Sequence, residues 1–135
     1  MPPDATPPSS VRDRINEYFA ALSAHDVDRI AACVTEDFLN EHTSALGSTS
    51  SGRDVYRARL PGFLGQFERL RYDVVDTIVE GERAAVRYRM TATYEEHALD
   101  IPGVMLFAIR EGLIAQRTDV WDSLTFLRQT GIDTG

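Results

Sequence analysis

The apolar positions of residues 11–35 predict two helices. Over residues 11–22 the apolar side chains recur at spacings of 4, 3, 1 and 3, which is the stripe of an amphipathic helix. Ser10 is a suitable N-cap, so we expect this helix to cover about residues 11–24. Asp26 is a suitable N-cap for a second helix over about residues 27–35.

A short strand and a third helix are expected next. Residues 37–43 alternate, and one face of this strand carries Phe38, Asn40 and His42. The polar stretch over residues 44–52 is long for a compact domain, so we expect a mobile linker. A helix should begin near Arg53, and Pro61-Gly62 should break or kink it.

The rest of the chain alternates with the period of a β-strand. The predicted strands cover residues 70–79, 83–94, 104–110 and 113–121. One face of the last strand carries Arg117, Asp119 and Trp121 together with Leu113 and Ala115. A short helix should follow over residues 122–128, capped by Asp122 and ended by Gly131.

This order of elements predicts an α+β fold. A long antiparallel meander that follows three helices is expected to curve around them and to enclose a cone-shaped space. Such concave spaces are where small-molecule sites occur. We expect a Pro- and Ser-rich disordered leader over residues 1–10, a single domain over residues 11–131 and a short tail over residues 132–135.

Composition narrows the classes of partner. With 14 basic and 21 acidic residues the net charge is -7, which argues against nucleic acid as a partner. Cys33 is the single cysteine, so no disulfide forms within the chain. No apolar run reaches the ~20 residues of a membrane span, and the first ten residues lack the features of a secretory signal. We therefore expect a cytoplasmic protein without a membrane partner.

Three stretches resemble the nuclear transport factor 2-like superfamily. They are YFAALSAHDVDRIAACVTEDF, the helix start Ser51-Gly52-Arg53-Asp54, and EGLIAQRTDVWD. Enzymes of this superfamily include ketosteroid isomerase, limonene epoxide hydrolase and the SnoaL-like polyketide cyclases. The resemblance implies the cone fold and a homodimer formed through the outer face of the sheet. That face would carry a row of arginines and threonines, namely Arg83, Arg87, Arg89, Thr91 and Thr93.

The resemblance to ketosteroid isomerase is partial. Tyr18 matches the helix-one tyrosine whose hydroxyl stabilises the oxyanion in that enzyme. His42 falls where the isomerase has its aspartate base, and Met105 falls where it has a protonated aspartic acid. The hydroxyl donor is therefore present, the base has changed type and the second donor is absent.

The resemblance to limonene epoxide hydrolase is also partial. Asp119 matches a catalytic aspartate of that family. Its second carboxylate belongs to an Arg-x-Asp pair, for which the nearest match here is Arg83-Ala84-Ala85. Asn40 and His42 align with its water-holding Tyr and Asn.

Together these matches predict a catalytic cavity. Tyr18, His42 and Asp119 are the candidate catalytic residues, and either His42 or Asp119 could be the base. The expected substrate-binding residues are Asn40, Phe19, Tyr88, Met105, Phe107, Arg117 and Trp121, with Phe126 as a lid. The predicted function is that of a SnoaL-like enzyme of secondary metabolism that isomerises, cyclises or dehydrates an apolar molecule carrying a carbonyl or other hydrogen-bond acceptor.

Other interpretations stay open at this point. The chain could be an epoxide hydrolase with an altered triad, or a dimeric module that binds a hydrophobic ligand without catalysis. In the least functional interpretation Tyr18 bonds a backbone carbonyl, His42 lies at the solvent rim and Asp119 pairs with Arg117. We expect no cofactor and no metal, because His25, His42 and His97 lie on separate elements without ligand spacing.

Overall fold

A computed structural model describes residues 10–43 and 48–131. Its helices are α1 (Val11–Ser23), α2 (Val27–Ala32), α3 (Arg53–Gln66) and α4 (Ser123–Gln129). Its strands are β1 (Val34–His42), β2 (Ser50–Ser51), β3 (Glu68–Glu80), β4 (Arg83–Tyr94), β5 (His97–Arg110) and β6 (Leu113–Trp121). The predicted leader apart from Ser10, residues 44–47 of the predicted linker and the predicted tail lie outside the described residues. None of the described helices is long and apolar enough to cross a membrane.

The predicted α+β class is confirmed, with one difference in the sheet. Its six strands lie in the order β2-β1-β6-β5-β4-β3, and they curve against the N-terminal helices. Four neighbouring pairs are antiparallel, whereas β1 and β6 run parallel. A parallel pair needs a long connection, and here α3 and strands β2 to β5 supply it. The sheet is therefore mixed rather than purely antiparallel.

Helix α1 packs its apolar stripe against the concave face of the sheet. Ile15, Tyr18, Phe19 and Leu22 are all buried. The predicted N-cap is present, since the Ser10 hydroxyl accepts a hydrogen bond from the backbone N–H of residue 13 at 3.0 Å. The stripe and cap that the sequence predicted thus fix α1 over the cavity side of the sheet.

One predicted helix end and one predicted helix break are wrong. Helix α2 ends at Ala32 rather than near residue 35, because Val34 already pairs with Ile114 of β6 and starts the sheet. Helix α3 runs through Pro61 as one continuous helix, so the expected break is wrong, whereas the alternative of a kink stays a prediction. Pro61 lies on the exposed side of α3, where water can satisfy the carbonyl that lacks its usual donor, while Leu60 packs on the buried side.

Strand β5 begins seven residues earlier than predicted. The two residues before it, Glu95 and Glu96, both have positive φ and form the tight turn from β4. Pro102 and Gly103 resemble strand breakers in the sequence. Gly103 pairs with the last residue of β6, so Pro102 lies just beyond the β5–β6 ladder and needs no donor on that side.

A β-bulge in β6 changes which residues share the inner face. The pairing with β5 skips Ala115, which is the extra residue on β6. Ile114 and Arg117 are therefore both buried, although the simple alternation placed them on opposite faces. Beyond the bulge, Arg117, Asp119 and Trp121 keep the common face that the sequence predicted.

Candidate active site

A cavity of about 500 Å³ lies between the concave face of the sheet and helices α1, α3 and α4. Its walls are mainly aromatic, with side chains from Tyr56, Phe63, Phe67, Tyr72, Tyr88, Tyr94, Trp121 and Phe126. Asn40, His42, Arg117 and Asp119 also line it and bring polar groups together on β1 and β6. A volume in the range of ligand pockets, apolar walls and a few convergent polar groups make this the candidate active site.

The parallel register of β1 and β6 brings the polar residues together. Asn40 is the cross-strand neighbour of Arg117, and His42 is the neighbour of Asp119. Each pair combines a residue from the first strand of the chain with one from the last strand. The four side chains therefore meet on rigid sheet positions, which hold catalytic geometry better than loops do.

Arg117 is a buried cation with neutral partners. Its Nε and Nη2 donate hydrogen bonds to Asn40 Oδ1 at 3.1 and 2.7 Å, and its Nη1 donates to the Tyr18 hydroxyl at 2.7 Å. Only 6% of the residue is exposed. No carboxylate among the described residues forms an ion pair with Arg117, so the predicted alternative in which Asp119 pairs with it is wrong.

Asp119 is a buried carboxylate held by a tyrosine. The Tyr88 hydroxyl donates to Asp119 Oδ1 at 2.6 Å, while Oδ2 lies 4.0 Å from His42 Nδ1. Burial raises the pKa of Asp119, although the charge of Arg117 and the bond from Tyr88 act in the opposite direction. Asp119 is therefore a stronger base than an exposed carboxylate, and it lines the cavity.

His42 lies between the two charged residues. Arg117 Nη2 approaches His42 Nε2 at 3.5 Å and has only protons to offer, so Nε2 is the acceptor and Nδ1 carries the proton. His42 Nδ1 is buried and has no hydrogen-bond partner among the described residues. Burial and the charge of Arg117 lower the pKa of His42 to about 4, which keeps the ring neutral at pH 7 and makes it a weak base.

Tyr18 lies behind Arg117 rather than on the cavity wall. Its hydroxyl is completely buried and bonds the Tyr56 hydroxyl at 2.6 Å as well as Arg117. The least functional interpretation expected this hydroxyl to bond a backbone carbonyl, but it bonds none among the described residues. Tyr18 thus supports the guanidinium, and Arg117 is the donor that faces the cavity.

The predicted site residues fall into two groups. Those that line the cavity are Asn40, His42, Tyr88, Arg117, Asp119, Trp121 and Phe126. Those that lie in the core behind its wall are Tyr18, Phe19, Met105 and Phe107. The side chains of the second group belong to the buried core, and they are not among the residues that line the open space.

Several lining residues were not predicted from the sequence. Helix α3 contributes Tyr56, Leu60 and Phe63, its C-cap contributes Phe67, and strand β3 contributes Tyr72. A signal was present on α3, because these four residues recur at spacings of 4, 3 and 4. The expected break at Pro61 concealed this stripe.

Phe126 lies in an aromatic cluster at the α4 end of the cavity. Its ring packs edge-on against Trp121 at 5.9 Å and against Tyr94 at 5.2 Å, measured between ring centroids. Gln129 fastens α4 to the sheet, since its side-chain amide exchanges hydrogen bonds with the backbone N–H and carbonyl of Asp100 at 2.8 and 3.0 Å. Phe126 therefore lies on the cavity wall, and its role as a lid stays a prediction.

Gly103 makes room for the bond between Tyr88 and Asp119. It lies directly opposite Tyr88 on the neighbouring strand, and the tyrosine ring passes over it toward β6. A Cβ atom at Gly103 would lie 2.5 Å from Tyr88 Cζ and closer still to the hydroxyl. Glycine is therefore required at this position for the tyrosine to reach Asp119.

Gly103→Ala should displace the Tyr88 hydroxyl from Asp119. We expect a loss of about 1–3 kcal/mol in the free energy of unfolding, because the added methyl group overpacks a closely packed contact. Urea denaturation measures this change. The control is Gly65→Ala in helix α3, where a new Cβ meets nothing within 4 Å and should leave stability equal or higher. Equal stability of Gly103→Ala and the parent would show that the ring has room to move.

The features that an epoxide hydrolase triad requires are incomplete here. Arg83, the nearest match to the arginine of that family's Arg-x-Asp pair, is 76% exposed at its side chain and bonds Glu80. Asp119 is the one acidic side chain that lines the cavity in the described part of the chain. Within residues 10–43 and 48–131, no group of three or more potential metal ligands is arranged to hold an ion.

A family model described as a SnoaL-like domain matches residues 15–117. The chain belongs to this family. No curated protein matches this SnoaL-like domain in sequence. A proposed SnoaL-like polyketide cyclase from Jannaschia sp. CCS1 has a similar structure, with 20% identity, a TM-score of 0.80 and coverage of 92% of this chain and 93% of that chain.

Two further solved structures are similar to this SnoaL-like domain. One is a hypothetical protein of ketosteroid isomerase-like fold from Catenulispora acidiphila, in complex with trimethylamine, with 15% identity, a TM-score of 0.82 and coverage of 95% and 96% of the two chains. The other is TsrD from Streptomyces laurentii, with 22% identity, a TM-score of 0.77 and coverage of 93% and 98%. At these identities the likeness establishes the nuclear transport factor 2-like fold.

Proposed function

We propose that this SnoaL-like domain is an enzyme that removes a proton next to a carbonyl group of an apolar molecule, without a cofactor. The reaction continues as an isomerisation, a cyclisation or a dehydration. The observation that supports this most is that Asp119 and Arg117 lie on one strand face, both buried and both lining an apolar cavity. One can accept a proton, and the other can hold the negative charge that this transfer creates.

Asp119 is the base in this proposal. Its Oδ2 takes the proton from carbon, and the C–H electron pair moves into the bond toward the carbonyl carbon as negative charge develops on the carbonyl oxygen. Tyr88 fixes the carboxylate through Oδ1, and burial raises the pKa of Asp119 toward the operating pH. The weakened basicity of His42 favours Asp119 over it.

Arg117 stabilises the oxygen on which charge develops. Asn40 and Tyr18 fix the guanidinium, so its orientation is set before the reaction starts. Such preorganised donors in a water-poor site are worth more than the same groups in water. Protonated Asp119 then returns the proton to another carbon in an isomerisation. In a cyclisation the enolate carbon attacks a second carbonyl and the resulting alkoxide takes the proton, whereas in a dehydration the proton goes to a β-hydroxyl group as its C–O bond breaks and water leaves.

Deuterium exchange tests this proposal without knowledge of the natural substrate. In D2O an enzyme that removes the proton should label the carbon next to the carbonyl of a compact apolar ketone such as 2-tetralone, and NMR follows the label. We expect labelling well above that of buffer and of heat-denatured protein. Absence of labelling across a panel of cyclic and aryl ketones would favour a ligand-binding module without catalysis.

A homodimer through the outer face of the sheet belongs to the same proposal. That face exposes the apolar side chains of Leu106 and Val120 beside the charged Arg87, a mixture found in protein interfaces. Light scattering at micromolar concentration should give about twice the monomer mass of 15.1 kDa. A mass near that of the monomer would refute the dimer.

A further inference from the structure

The charge of the cavity is opposite to that of the whole chain. The chain has a net charge of -7, yet the described cavity lining carries two arginines, Arg117 and Arg59, and one acidic residue, Asp119. The undescribed residues 44–47 are Ser, Ala, Leu and Gly, so they add no side-chain charge. The charged side chains of the described cavity lining thus include more arginines than acidic residues, whereas acidic residues outnumber arginines in the chain as a whole.

Arg117 differs from the arginines on the surface. Six arginines form ion pairs with carboxylates, namely Arg29, Arg57, Arg71, Arg83, Arg89 and Arg110. Arg117 is far more buried than any of them, but its hydrogen-bond partners are an amide, a hydroxyl and an imidazole. A buried cation with neutral partners is costly, and an anion beside it lowers that cost.

The described residues do not use the full hydrogen-bonding capacity of the Arg117 guanidinium. It carries five N–H groups, and Asn40 and Tyr18 accept three of them at 3.1 Å or less. One of the remaining two approaches His42 Nε2 at 3.5 Å, and the other has no partner among the described residues. Asp119 does not use them, because its hydrogen bond comes from Tyr88. One donor of this buried cation is thus free for a ligand oxygen, and a second makes only the long contact to His42.

We propose that the cavity is an anion site, which binds apolar organic anions with a carboxylate or other charged oxygen on Arg117 in preference to neutral molecules of the same shape. This anion site lies in the cavity of the proposed function and rests on it for its location, but it requires only that the anion binds and not that a reaction follows. The aromatic walls take the apolar body, and Arg59 at the exposed edge adds a second positive charge. Such anions carry in their ground state the charge that the proposed reaction develops, so they should inhibit it.

Calorimetric titration with 2-naphthoate and 2-naphthamide tests the proposal, because the two probes share a ring system and differ in charge. We expect the parent to bind 2-naphthoate at least about 10-fold more tightly than 2-naphthamide, as charge-assisted hydrogen bonds allow. In Arg117→Met that preference should fall to about twofold or less, through weaker binding of 2-naphthoate. Equal binding of the two probes by the parent, or binding of neither, would overturn the proposal.

Matched variants separate this proposal from a folding defect and from the catalytic one. Arg12→Met makes the same change at an exposed position on α1 and should keep the full preference. Arg59→Met removes a charge at an exposed position, so it should reduce the preference only about 2–3-fold. This variant still tests the proposal if Arg117→Met does not fold. Asp119→Asn should bind 2-naphthoate as tightly or more tightly, because it removes a repelling charge. A preference that survives in Arg117→Met and Arg59→Met would overturn the anion site and leave the proton-transfer proposal standing.

Discussion

Asp119→Asn should lower the rate of carbon deuteration by about 100-fold or more, the usual loss when a general base is removed. The amide has nearly the shape of the carboxylate and can still accept the hydrogen bond from Tyr88, so the fold should persist. It cannot take up a proton at the operating pH. The rate is measured by NMR with 2-tetralone in D2O, and thermal unfolding of the same sample reports on stability.

Asp76→Asn is the matched control for this change. Asp76 is an exposed strand residue on β3 that does not line the cavity, and its substitution should change neither rate nor stability. An Asp119→Asn protein that labels as fast as the parent but unfolds several degrees lower would identify Asp119 as a structural residue. In that case the role of the buried Asp119 would be to accept the hydrogen bond from Tyr88, and the proposed mechanism would be wrong.

Arg117→Met should lower the deuteration rate by about 100- to 1,000-fold, as expected when the main donor to a developing oxyanion is removed. The thioether side chain retains much of the volume but carries neither charge nor N–H groups. Asn40 and Tyr18 lose their shared partner, so some loss of stability accompanies the loss of rate. Steady-state kinetics should place the loss mainly in kcat, because the interaction is strongest in the transition state.

Arg117→Lys distinguishes charge from geometry. A lysine keeps the positive charge but cannot reproduce the fork that bonds Asn40 Oδ1 twice. It should therefore recover part of the rate that Arg117→Met loses. Full activity in Arg117→Met would show that the guanidinium only supports Asn40 and Tyr18, and the oxyanion role would have to be abandoned.

The elements with the clearest periodicity were predicted best. Strand β4 has the boundaries that its alternation gave, and α1 and α4 have their predicted caps. These elements could be predicted because their signals are local. Both the period-two alternation of a strand and the apolar stripe and cap of a helix can be recognised from residues close together in the sequence. Asp119 and Trp121 were placed on the inner face for the same reason, and both line the cavity.

The interactions that define the site depend on pairings that the sequence does not show. The parallel register of β1 and β6 puts Asn40 beside Arg117, and no local pattern indicates it. The bulge at Ala115 likewise shifts the faces of β6 only because β5 pairs around it. Tyr18 was expected on the cavity wall, yet the guanidinium of Arg117 occupies the space in front of its hydroxyl. The residue types were informative, but the partners were set by tertiary packing.

Rescue of Asp119→Ala by formate tests the central claim most directly. Removal of the side chain leaves a space on the cavity wall, and a small carboxylate from solution can take the place of the missing base. The account predicts slow deuteration of 2-tetralone by Asp119→Ala, restored in a saturable way by formate but not by chloride at equal ionic strength. Deuteration by Asp119→Ala at the parent's rate without formate would contradict the account. So would an absence of any response to formate in a variant that still binds 2-naphthoate.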